Sequence, residues 1–237
     1  MNKTLLILAG GFGTRLKSAV ADVPKVLAPI GNLPFLHMQL ENWLSLGLKS
    51  FIFSLHHESE QIIAFLKKEE KGLLKGCNVK WVVEPEPLNT GGAIAYVLKN
   101  VGLKGDFFLT NGDTWLGDGF SAFCDKKSPS MGIFYLKNSS RYGRVLVDDH
   151  NFVTSFTEKS PGNNPGWINA GVSLLNSHLF ENWDGLPFSL ETDLFPELVK
   201  KRVLKSVALE TQFIDIGIPE DYKRFCDWSA KKGECES

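Results

Sequence analysis

Three glycines near the amino terminus, followed by two cations, are the residues of this sequence best suited to chemistry. An apolar run at residues 5–8 leads into a glycine-rich turn at residues 10–13, and Arg15 and Lys25 follow it. Glycines leave no side chain in the way, so the backbone N–H groups of a turn between a strand and a helix can approach an anion, most often a phosphate. Two cations beside such a turn favour a triphosphate over a single phosphate. A tight turn without a ligand, and plain surface charges, are the alternatives.

Two well-known phosphate-binding patterns do not fit this turn. The Walker pattern G-x-x-x-x-G-K-[ST] is absent. The dinucleotide pattern G-x-G-x-x-G would begin at Gly11, but Leu16 stands in place of its last glycine. A nicotinamide-dependent dehydrogenase is therefore a weak interpretation.

Two aspartates stand where a metal ion bound to a triphosphate would need them. Asp113 follows the apolar run 106–109, at the carboxyl end of a strand, which is the edge where open α/β sheets bind ligands. Asp215 lies inside the apolar stretch 213–218, where a carboxylate is costly unless it is paired or binds metal. One or two carboxylates together with phosphate oxygens are the usual ligands of Mg²⁺. A turn former at Asp113 and a helix cap at Asp215 are the alternatives.

The composition is that of an ordinary globular protein. The chain has 237 residues, of which 43% are hydrophobic and 22% charged, and its net charge is −1. This balance gives no broad field for nucleic acid or an anionic membrane, and no apolar run approaches the ~20 residues that span a bilayer. The four cysteines have no metal-binding spacing and are expected to be reduced thiols. We expect a cytoplasmic protein without a cleavable leader.

Alternating apolar and amphipathic segments predict the elements that must position these residues. Up to residue 110 they predict an α/β fold with a mostly parallel sheet covered by helices on both faces. After residue 126 short strands separated by turns predict a mixed extension of that sheet. We expect a single domain, 1–237, with a nucleotide-binding half (1–126) and a second half that carries a C-terminal helix (127–237). The predicted strands are 4–9, 50–55, 79–84, 106–110, 131–137, 144–148, 152–158 and 169–175, and the predicted helices are 34–46, 58–71, 90–100 and 191–201.

The motifs around these residues resemble the sugar-1-phosphate nucleotidyltransferases, also called sugar-nucleotide pyrophosphorylases. The family signature G-G-x-G-T-R-L reads 10–16 here, P-K reads 24–25, G-D reads 112–113, and D-I-G-x-P reads 215–219. The motifs come in the expected order over residues 5–222. The resemblance implies a Rossmann-like, GT-A-like fold with a smaller sugar-binding subregion. It also implies Mg²⁺ on Asp113 and Asp215, with a nucleoside triphosphate and a sugar 1-phosphate as substrates.

The resemblance also assigns roles to single residues. It implies that Arg15 steadies the departing pyrophosphate, that Lys25 reaches the phosphates near the sugar, and that Asp113 acts in catalysis through the metal. The loop 84–93 would line the base pocket, although a helix cap would explain Thr90 as well. The nucleotide-binding residues would be Leu8, Ala9, Gly10, Gly11, Gly13, Thr14, Glu84, Leu88, Thr90, Gly91, Asn111 and Gly112.

The second half of the chain resembles the sugar-phosphate contacts of the family. A solvated ion pair and a helix-dipole interaction are the alternatives for its acidic and basic residues. Trp115 and Trp167 either wall the pocket or pack, and the adjacent histidines 56 and 57 are interpreted as structural or surface residues. The sugar-phosphate contacts would be Glu158, Lys159, Asn169, Gly171 and Glu191.

The expected reaction is an in-line attack by a sugar-phosphate oxygen on the α-phosphorus, which needs no enzyme nucleophile and no general base. Softer motifs resemble the guanylyltransferases of D-glycero-D-manno-heptose 1-phosphate, so GTP and that heptose are the expected substrates of a monomer or small homo-oligomer. A mannose 1-phosphate guanylyltransferase, or a uridylyl-, cytidylyl- or thymidylyltransferase, is the alternative. A catalytically silent nucleotide-sugar sensor should have lost charged residues, yet Arg15, Lys25, Asp113 and Asp215 are all present.

Overall fold

A continuous mixed sheet organises the computed structural model, which describes residues 3–157 and 165–235. The first half alternates strands with helices. Its strands are β1 (Leu5–Leu8), β2 (Pro29–Ile30), β3 (Leu33–Pro34), β4 (Ser50–Leu55), β5 (Asn78–Val83), β6 (Asp106–Asn111) and β7 (Thr114–Trp115), and its helices are α1 (Phe35–Ser45), α2 (Ser59–Glu69) and α3 (Asn89–Val101).

The second half adds mostly antiparallel strands and a C-terminal helix. Short 3₁₀ turns lie at Lys25–Leu27, Gly119–Phe123 and Ser177–Phe180. The strands are β8 (Ser130–Leu136), β9 (Arg144–Val147), β10 (Val153–Thr157), β11 (Gly166–Asn176), β12 (Lys205–Ala208) and β13 (Ile214–Asp215), and the helices are α4 (Phe195–Lys200) and α5 (Pro219–Cys235).

The order of the strands places the parallel half beside the antiparallel half. Along the sheet the order is β10-β9-β11-β6-β1-β4-β5, and β8 pairs with β11 and β12. β6, β1, β4 and β5 are parallel, whereas β11 runs antiparallel to β6. The prediction of a Rossmann-like α/β fold with a mostly parallel, mixed sheet is confirmed.

Apolar side chains cover both faces of the parallel strands, as their continuous apolar sequences require. Leu5 and Ile7 of β1 belong to the core under α1 and α2, and Leu6 belongs to the core under α3. A third cluster joins Phe35, Trp115 and Phe225, so that α5 packs beside the ends of α1 and β7. Full burial of such a side chain contributes about 1.5–3 kcal/mol. Among the described residues, no helix has the length and hydropathy needed to cross a membrane.

The sequence predicted most elements within one or two residues, but it did not predict the strand β12, and three further differences occur. The strand expected at 169–175 begins at Gly166, because Trp167 and Ile168 also pair with β8. The helix expected at 191–201 begins as a wider π-type turn, Leu190–Leu194, before α4. Pro196 lacks the N–H that a regular α-helix would use in that turn, which accounts for the change. The two-stranded ribbons β2–β3 and β7–β13 were not predicted.

Candidate active site

The ends of three parallel strands bring the glycine turn and Asp113 to one edge of the sheet. Leu8 at the end of β1 lies between Ser54 of β4 and Asn111 of β6. The chain then leaves β1 through the glycine turn and β6 through Asp113. This is the carboxyl edge, where open α/β sheets bind ligands.

The glycines of the turn have different reasons for being glycine. A Cβ on Gly10 would lie 2.9 Å from the backbone nitrogen of His56, so Gly10 lets β1 and β4 close together at their ends. A Cβ on Gly11 would meet no heavy atom within 4 Å. The backbone of Gly11 is therefore open to a ligand. Thr14 and Arg15, which follow, are exposed, whereas Ala9, which precedes the turn, is buried.

Lys25 forms an ion pair with Asp113 at this edge. Its Nζ donates to Oδ2 of Asp113, and the hydroxyl of Thr114 donates to Oδ1 at 3.2 Å. Burial alone would raise the pKa of Asp113, but the Lys25 ammonium and these hydrogen bonds outweigh it and hold the pKa below its usual value. Asp113 is therefore ionised at neutral pH and is more than a turn former.

The β7–β13 ribbon brings Asp215 beside Asp113. Asp215 is paired with Thr114, and the N–H of Ile216 donates to the Asp113 carbonyl at 2.9 Å. Burial and the nearby Asp113 charge raise the pKa of Asp215 to about 6. Its Oδ1 accepts from the N–H of Gly217 at 2.7 Å, which precedes α5, so Asp215 does not cap that helix.

The two aspartates fit a divalent cation by their chemistry. Both offer hard carboxylate oxygens, and like charges close together in a buried place are costly without a cation. Within residues 3–157 and 165–235, no group of three or more His, Cys, Asp or Glu side chains could hold a metal. A pair still suits Mg²⁺, which commonly takes one or two protein carboxylates and completes its shell with substrate phosphates and water. The Mg²⁺ site at Asp113 and Asp215 stays a prediction.

A cavity of about 260 Å³ opens next to the glycine turn. Glu84 connects two parts of its lining, because its carboxylate accepts from the hydroxyl of Ser54 at 3.0 Å and from the N–H of Leu88 at 3.3 Å. Burial raises the pKa of Glu84 despite those hydrogen bonds. The lining includes six of the predicted nucleotide-binding residues: Leu8, Gly10, Gly11, Glu84, Leu88 and Thr90.

Thr90 connects this cavity to the second half of the chain. Its hydroxyl donates to Oε2 of Glu191 at 2.6 Å and accepts from the N–H of Leu190 at 2.9 Å. The N-cap of α3 is Leu88, without a side-chain hydrogen bond, so the alternative that Thr90 serves only as a helix cap is wrong. Glu191 also accepts from the hydroxyl of Ser189 at 2.9 Å. Its contact with the sugar stays a prediction.

Gly91 lies behind the cavity rather than in its lining. Its N–H donates to the carbonyl of Phe188 at 2.9 Å, and a Cβ there would lie 2.2 Å from the Phe188 ring. The small residue therefore allows α3 to pack against the segment before residue 189. The N–H of Gly91 is already used and is not open to a base.

Four further predicted residues lie near the place where β6 meets β11. The N–H of Gly112 donates to the Leu8 carbonyl at 2.8 Å, and Oδ1 of Asn169 accepts from the N–H of Gly171 at 3.0 Å. Gly171 in turn lies against the side-chain amide of Asn111. Asn111 and Gly112 directly precede Asp113 in the chain, and Asn169 and Gly171 lie on the neighbouring strand β11. Two further predicted contacts, Glu158 and Lys159, lie outside the described residues.

The comparisons with known proteins decide the family. Residues 4–228 match the model of the family described as Nucleotidyl transferase. This chain is a nucleotidyl transferase. The resemblance inferred from the sequence motifs is confirmed.

Three relatives of this nucleotidyl transferase are similar to it over most of its chain. D-glycero-alpha-D-manno-heptose 1-phosphate guanylyltransferase of Campylobacter jejuni is 36% identical over 93% of this chain and 97% of its own length. The crystal structure of HddC from Yersinia pseudotuberculosis complexed with GMP-PN has 33% identity and a TM-score of 0.80, and covers 95% of this chain and 98% of that one. The mannose-1-phosphate guanyltransferase of Saccharomyces cerevisiae is 33% identical over 92% of this chain but only 62% of its own length.

Sequence reasoning missed several residues around the site of this nucleotidyl transferase. Phe12, half exposed, and His56 both line the cavity, with their ring centroids 5.8 Å apart. The position of His56 directly after β4 was the available signal. Arg141 pairs with Asp221 of α5 and lies near Asp215. Burial raises the pKa of the neighbouring Tyr142 phenol, and the charge of Asp215 raises it further.

The two tryptophans near the predicted motifs pack against other aromatic rings. Trp115 is buried against Phe225 and Trp228, and the ring of Trp167 meets Tyr135 edge-on. The packing interpretation therefore describes both tryptophans.

Proposed function

We propose that this nucleotidyl transferase couples GTP to D-glycero-D-manno-heptose 1-phosphate and yields GDP-heptose and pyrophosphate. The observation that carries the proposal is the convergence of Lys25, Asp113 and Asp215 beside an open glycine turn. Similarity to a heptose 1-phosphate guanylyltransferase along nearly the whole of both chains supports this choice of substrates. We also propose a cytoplasmic location, where nucleoside triphosphates are available, and a monomer or small homo-oligomer.

In the proposed reaction an oxygen of the sugar phosphate attacks the α-phosphorus of GTP. The bond from that phosphorus to the β-phosphate oxygen breaks, and pyrophosphate leaves with the electron pair. The chief task of the protein is to align two anions that repel each other and to stabilise the charge on the oxygens. Mg²⁺, when held by Asp113 and Asp215, would neutralise phosphate charge.

Each cation of the site has a proposed task. Arg15, exposed beside the turn, would hold the departing pyrophosphate, and the exposed backbone of Gly11 would meet a phosphate. Lys25, now paired with Asp113, would turn to the phosphate between nucleotide and sugar. The sugar phosphate is already ionised near neutral pH, so no general base is needed. Asp113, with its lowered pKa, is a poor proton donor and suits a role as ligand.

The cavity beside the turn would hold the guanine, and the junction of β6 and β11 would hold the sugar phosphate. The lining of Glu84, Leu88 and Thr90 supports the first assignment. The closeness of Asn169, Gly171 and Asn111 to the Asp113 edge supports the second. Glu158, Lys159 and Glu191 complete the proposed contacts with the sugar phosphate.

Mannose 1-phosphate is the second candidate acceptor, because mannose-1-phosphate guanyltransferases are also similar to this chain. The heptose differs from mannose by one carbon beyond C6, far from the reacting phosphate. The same chemistry would therefore serve either sugar, and the residues that contact the sugar beyond C6 would determine which one binds better.

Pyrophosphate release tests the proposal directly. Purified protein is mixed with Mg²⁺, one of GTP, UTP, CTP or dTTP, and one of a panel of sugar 1-phosphates that includes heptose and mannose. We expect the highest kcat/KM for GTP with the heptose 1-phosphate. Faster turnover with mannose 1-phosphate would favour the second candidate. Tight binding of a nucleotide sugar without turnover of any pair would contradict catalysis and favour a sensor.

A further inference from the structure

Gln39 is a buried polar residue on a helix that otherwise buries apolar side chains. α1, which is described throughout, buries Phe35, Leu36, Gln39, Leu40 and Trp43, and Gln39 is 1% exposed. An amide in such a place is unfavourable unless its hydrogen bonds are made. Oε1 of Gln39 has no hydrogen-bond partner among the described residues. Packing alone would favour an apolar side chain at this position.

Among the residues that the structure describes, the Gln39 side chain makes one hydrogen bond, to the segment that follows Asp113. Its Nε2 donates to the carbonyl oxygen of Thr114 at 3.0 Å, in a buried place. Thr114 in turn donates its hydroxyl to Oδ1 of Asp113. Gln39 thus fixes the backbone of Thr114, and the hydroxyl of Thr114 is hydrogen-bonded to Asp113.

The same carbonyl belongs to the ribbon that carries the second aspartate. β7 and β13 are two residues long each, and Asp215 is paired with Thr114. A ribbon this short has few ladder hydrogen bonds of its own and needs support from outside. Asp113 and Asp215 are carboxylates on adjoining backbone segments, and like charges held close together disfavour that arrangement when no metal ion lies between them. Support from α1 therefore helps to keep the two segments together.

We propose that Gln39 is a positioning residue that fixes the Asp113–Asp215 pair for a divalent cation, through its hydrogen bond to the Thr114 carbonyl. The inference rests on the proposed function, because it assumes that the pair binds the metal of the reaction. Outer residues that orient metal ligands typically change metal affinity or activity about 10–100-fold when they are replaced.

Asn42 of the same helix provides a matched control. Its Nδ2 donates to the carbonyl of Gly117 at 2.6 Å, which is the same kind of bond one helical turn further on. Gly117 lies four residues after Asp113 and outside the β7–β13 ribbon. Loss of the Asn42 bond should loosen the loop without moving the carboxylates.

The test compares Gln39→Met and Asn42→Ala with the wild type. Met keeps the length of Gln39 but cannot donate, so it removes the unpartnered oxygen and leaves the buried Thr114 carbonyl without its donor. Binding of Mn²⁺ is measured by electron paramagnetic resonance with GTP present and no sugar phosphate. We expect Gln39→Met to raise the Kd for Mn²⁺ about 10-fold or more and to lower kcat by a similar factor. KM for the sugar phosphate should change little, and Asn42→Ala, which also leaves a carbonyl without its donor, should leave the Kd for Mn²⁺ within about 2-fold.

Several outcomes would overturn the proposal. They are an unchanged Kd for Mn²⁺ in Gln39→Met, an equal loss in Asn42→Ala, or no Mn²⁺ binding by the wild type. Should Gln39→Met not fold, Gln39→Asn keeps the amide but is one methylene too short to reach Thr114, and the same loss is expected. Because Mn²⁺ binding is measured without the acceptor, a wrong choice of sugar would appear only in the turnover assay and leave this result readable.

Discussion

Asp113 and Asp215 are neighbouring carboxylates with opposite pKa shifts, and their contacts explain the difference. Lys25 and Thr114 contact Asp113 and stabilise its ionised form. Asp215 receives one backbone hydrogen bond, while burial and the charge of Asp113 oppose its ionisation. Without a metal ion, the negative charge of Asp113 is therefore favourable and that of Asp215 is unfavourable.

Replacement of Asp215 by Asn should stabilise the metal-free protein. Its pKa rises from 3.8 to about 6 on folding, so between these values the folded state binds a proton that the unfolded chain releases. The free energy of unfolding therefore falls as pH rises from about 4 to about 6, and the penalty persists above that range. At pH 7.5 in EDTA, we expect Asp215→Asn to melt about 2–6 °C above the wild type. The difference should shrink at pH 5, and a constant difference across this range would contradict the assignment.

Asp113→Asn is the natural comparison and should act in the other direction. The pKa of Asp113 is lowered on folding, so its contribution to stability is present above the unfolded pKa and is lost as pH falls through the folded value. The Asn variant removes the partner of Lys25. We expect a lower melting temperature at pH 7.5 and turnover reduced by about two orders of magnitude or more.

Arg15→Ala should reduce turnover while leaving the fold intact. The side chain is exposed beside the glycine turn, so its removal should cost little stability. Loss of one strong charge contact in the transition state lowers kcat by about 10²–10³-fold. Lys17→Ala, an exposed cation two residues further on, is the control and should retain turnover within about 2-fold. Wild-type turnover in Arg15→Ala with unchanged circular dichroism would remove Arg15 from the mechanism.

The sequence singled out the charged residues beside the glycine turn and half of the cavity lining, but it missed two aromatic rings of that lining. Arg15, Lys25, Asp113 and Asp215 were found because charge beside a glycine turn or inside an apolar stretch is unusual. Phe12 and His56 were not, since an aromatic ring in a loop has many uses and only the closing of β1 on β4 brings both to the cavity.

Among the elements, the long ones were predictable and the short ones were not. β4 and α1 have enough residues to show a period, and their predicted limits agree with the structure within a residue. β7 and β13 have two residues each, which is too few for any period, and their pairing joins positions 100 residues apart. The ribbon that unites the two aspartates therefore emerges only from the tertiary fold.

The contact between α3 and the segment that ends at Phe188 should be sensitive to one methyl group. Gly91→Ala would place a Cβ 2.2 Å from the Phe188 ring, and the ring or the helix must move. Overpacking of this kind costs about 1–3 kcal/mol. We expect a lower midpoint of urea unfolding with an unchanged m-value. Gly11→Ala, whose Cβ would meet nothing within 4 Å, should keep the wild-type midpoint.

A second substitution separates this clash from a simple loss of helix flexibility. Phe188→Ala removes the ring that the new methyl group would meet. In the double variant the loss in the free energy of unfolding should therefore be smaller than the sum of the two single losses, because the residues are in contact. Strict additivity would place the effect of Gly91→Ala elsewhere.

At the level of the whole molecule, β11 ties the two halves of the chain together. It pairs with β6 of the parallel half and with β8 and β9 of the second half. The hydrogen bond from Thr90 to Glu191 and the β7–β13 ribbon cross the same boundary. The described part of residues 1–126 thus shares its sheet, the hydrogen bond between Thr90 and Glu191, and the carboxylate pair with the described part of residues 127–237.

This sharing predicts that the protein unfolds as one unit and that residues 1–126 do not fold alone. Without β11, the strand β6 would become an unpaired edge, and its buried Phe107 and Leu109 would lose the neighbours that Leu175 and Phe180 provide. In the full chain, urea unfolding followed by tryptophan fluorescence and by circular dichroism should give coincident transitions. The isolated fragment 1–126 should show no cooperative transition, and addition of the fragment 127–237 should restore one. A fragment 1–126 that unfolds cooperatively by itself would mean that the parallel half has a sufficient core of its own, and that the second half is an attachment rather than a structural partner.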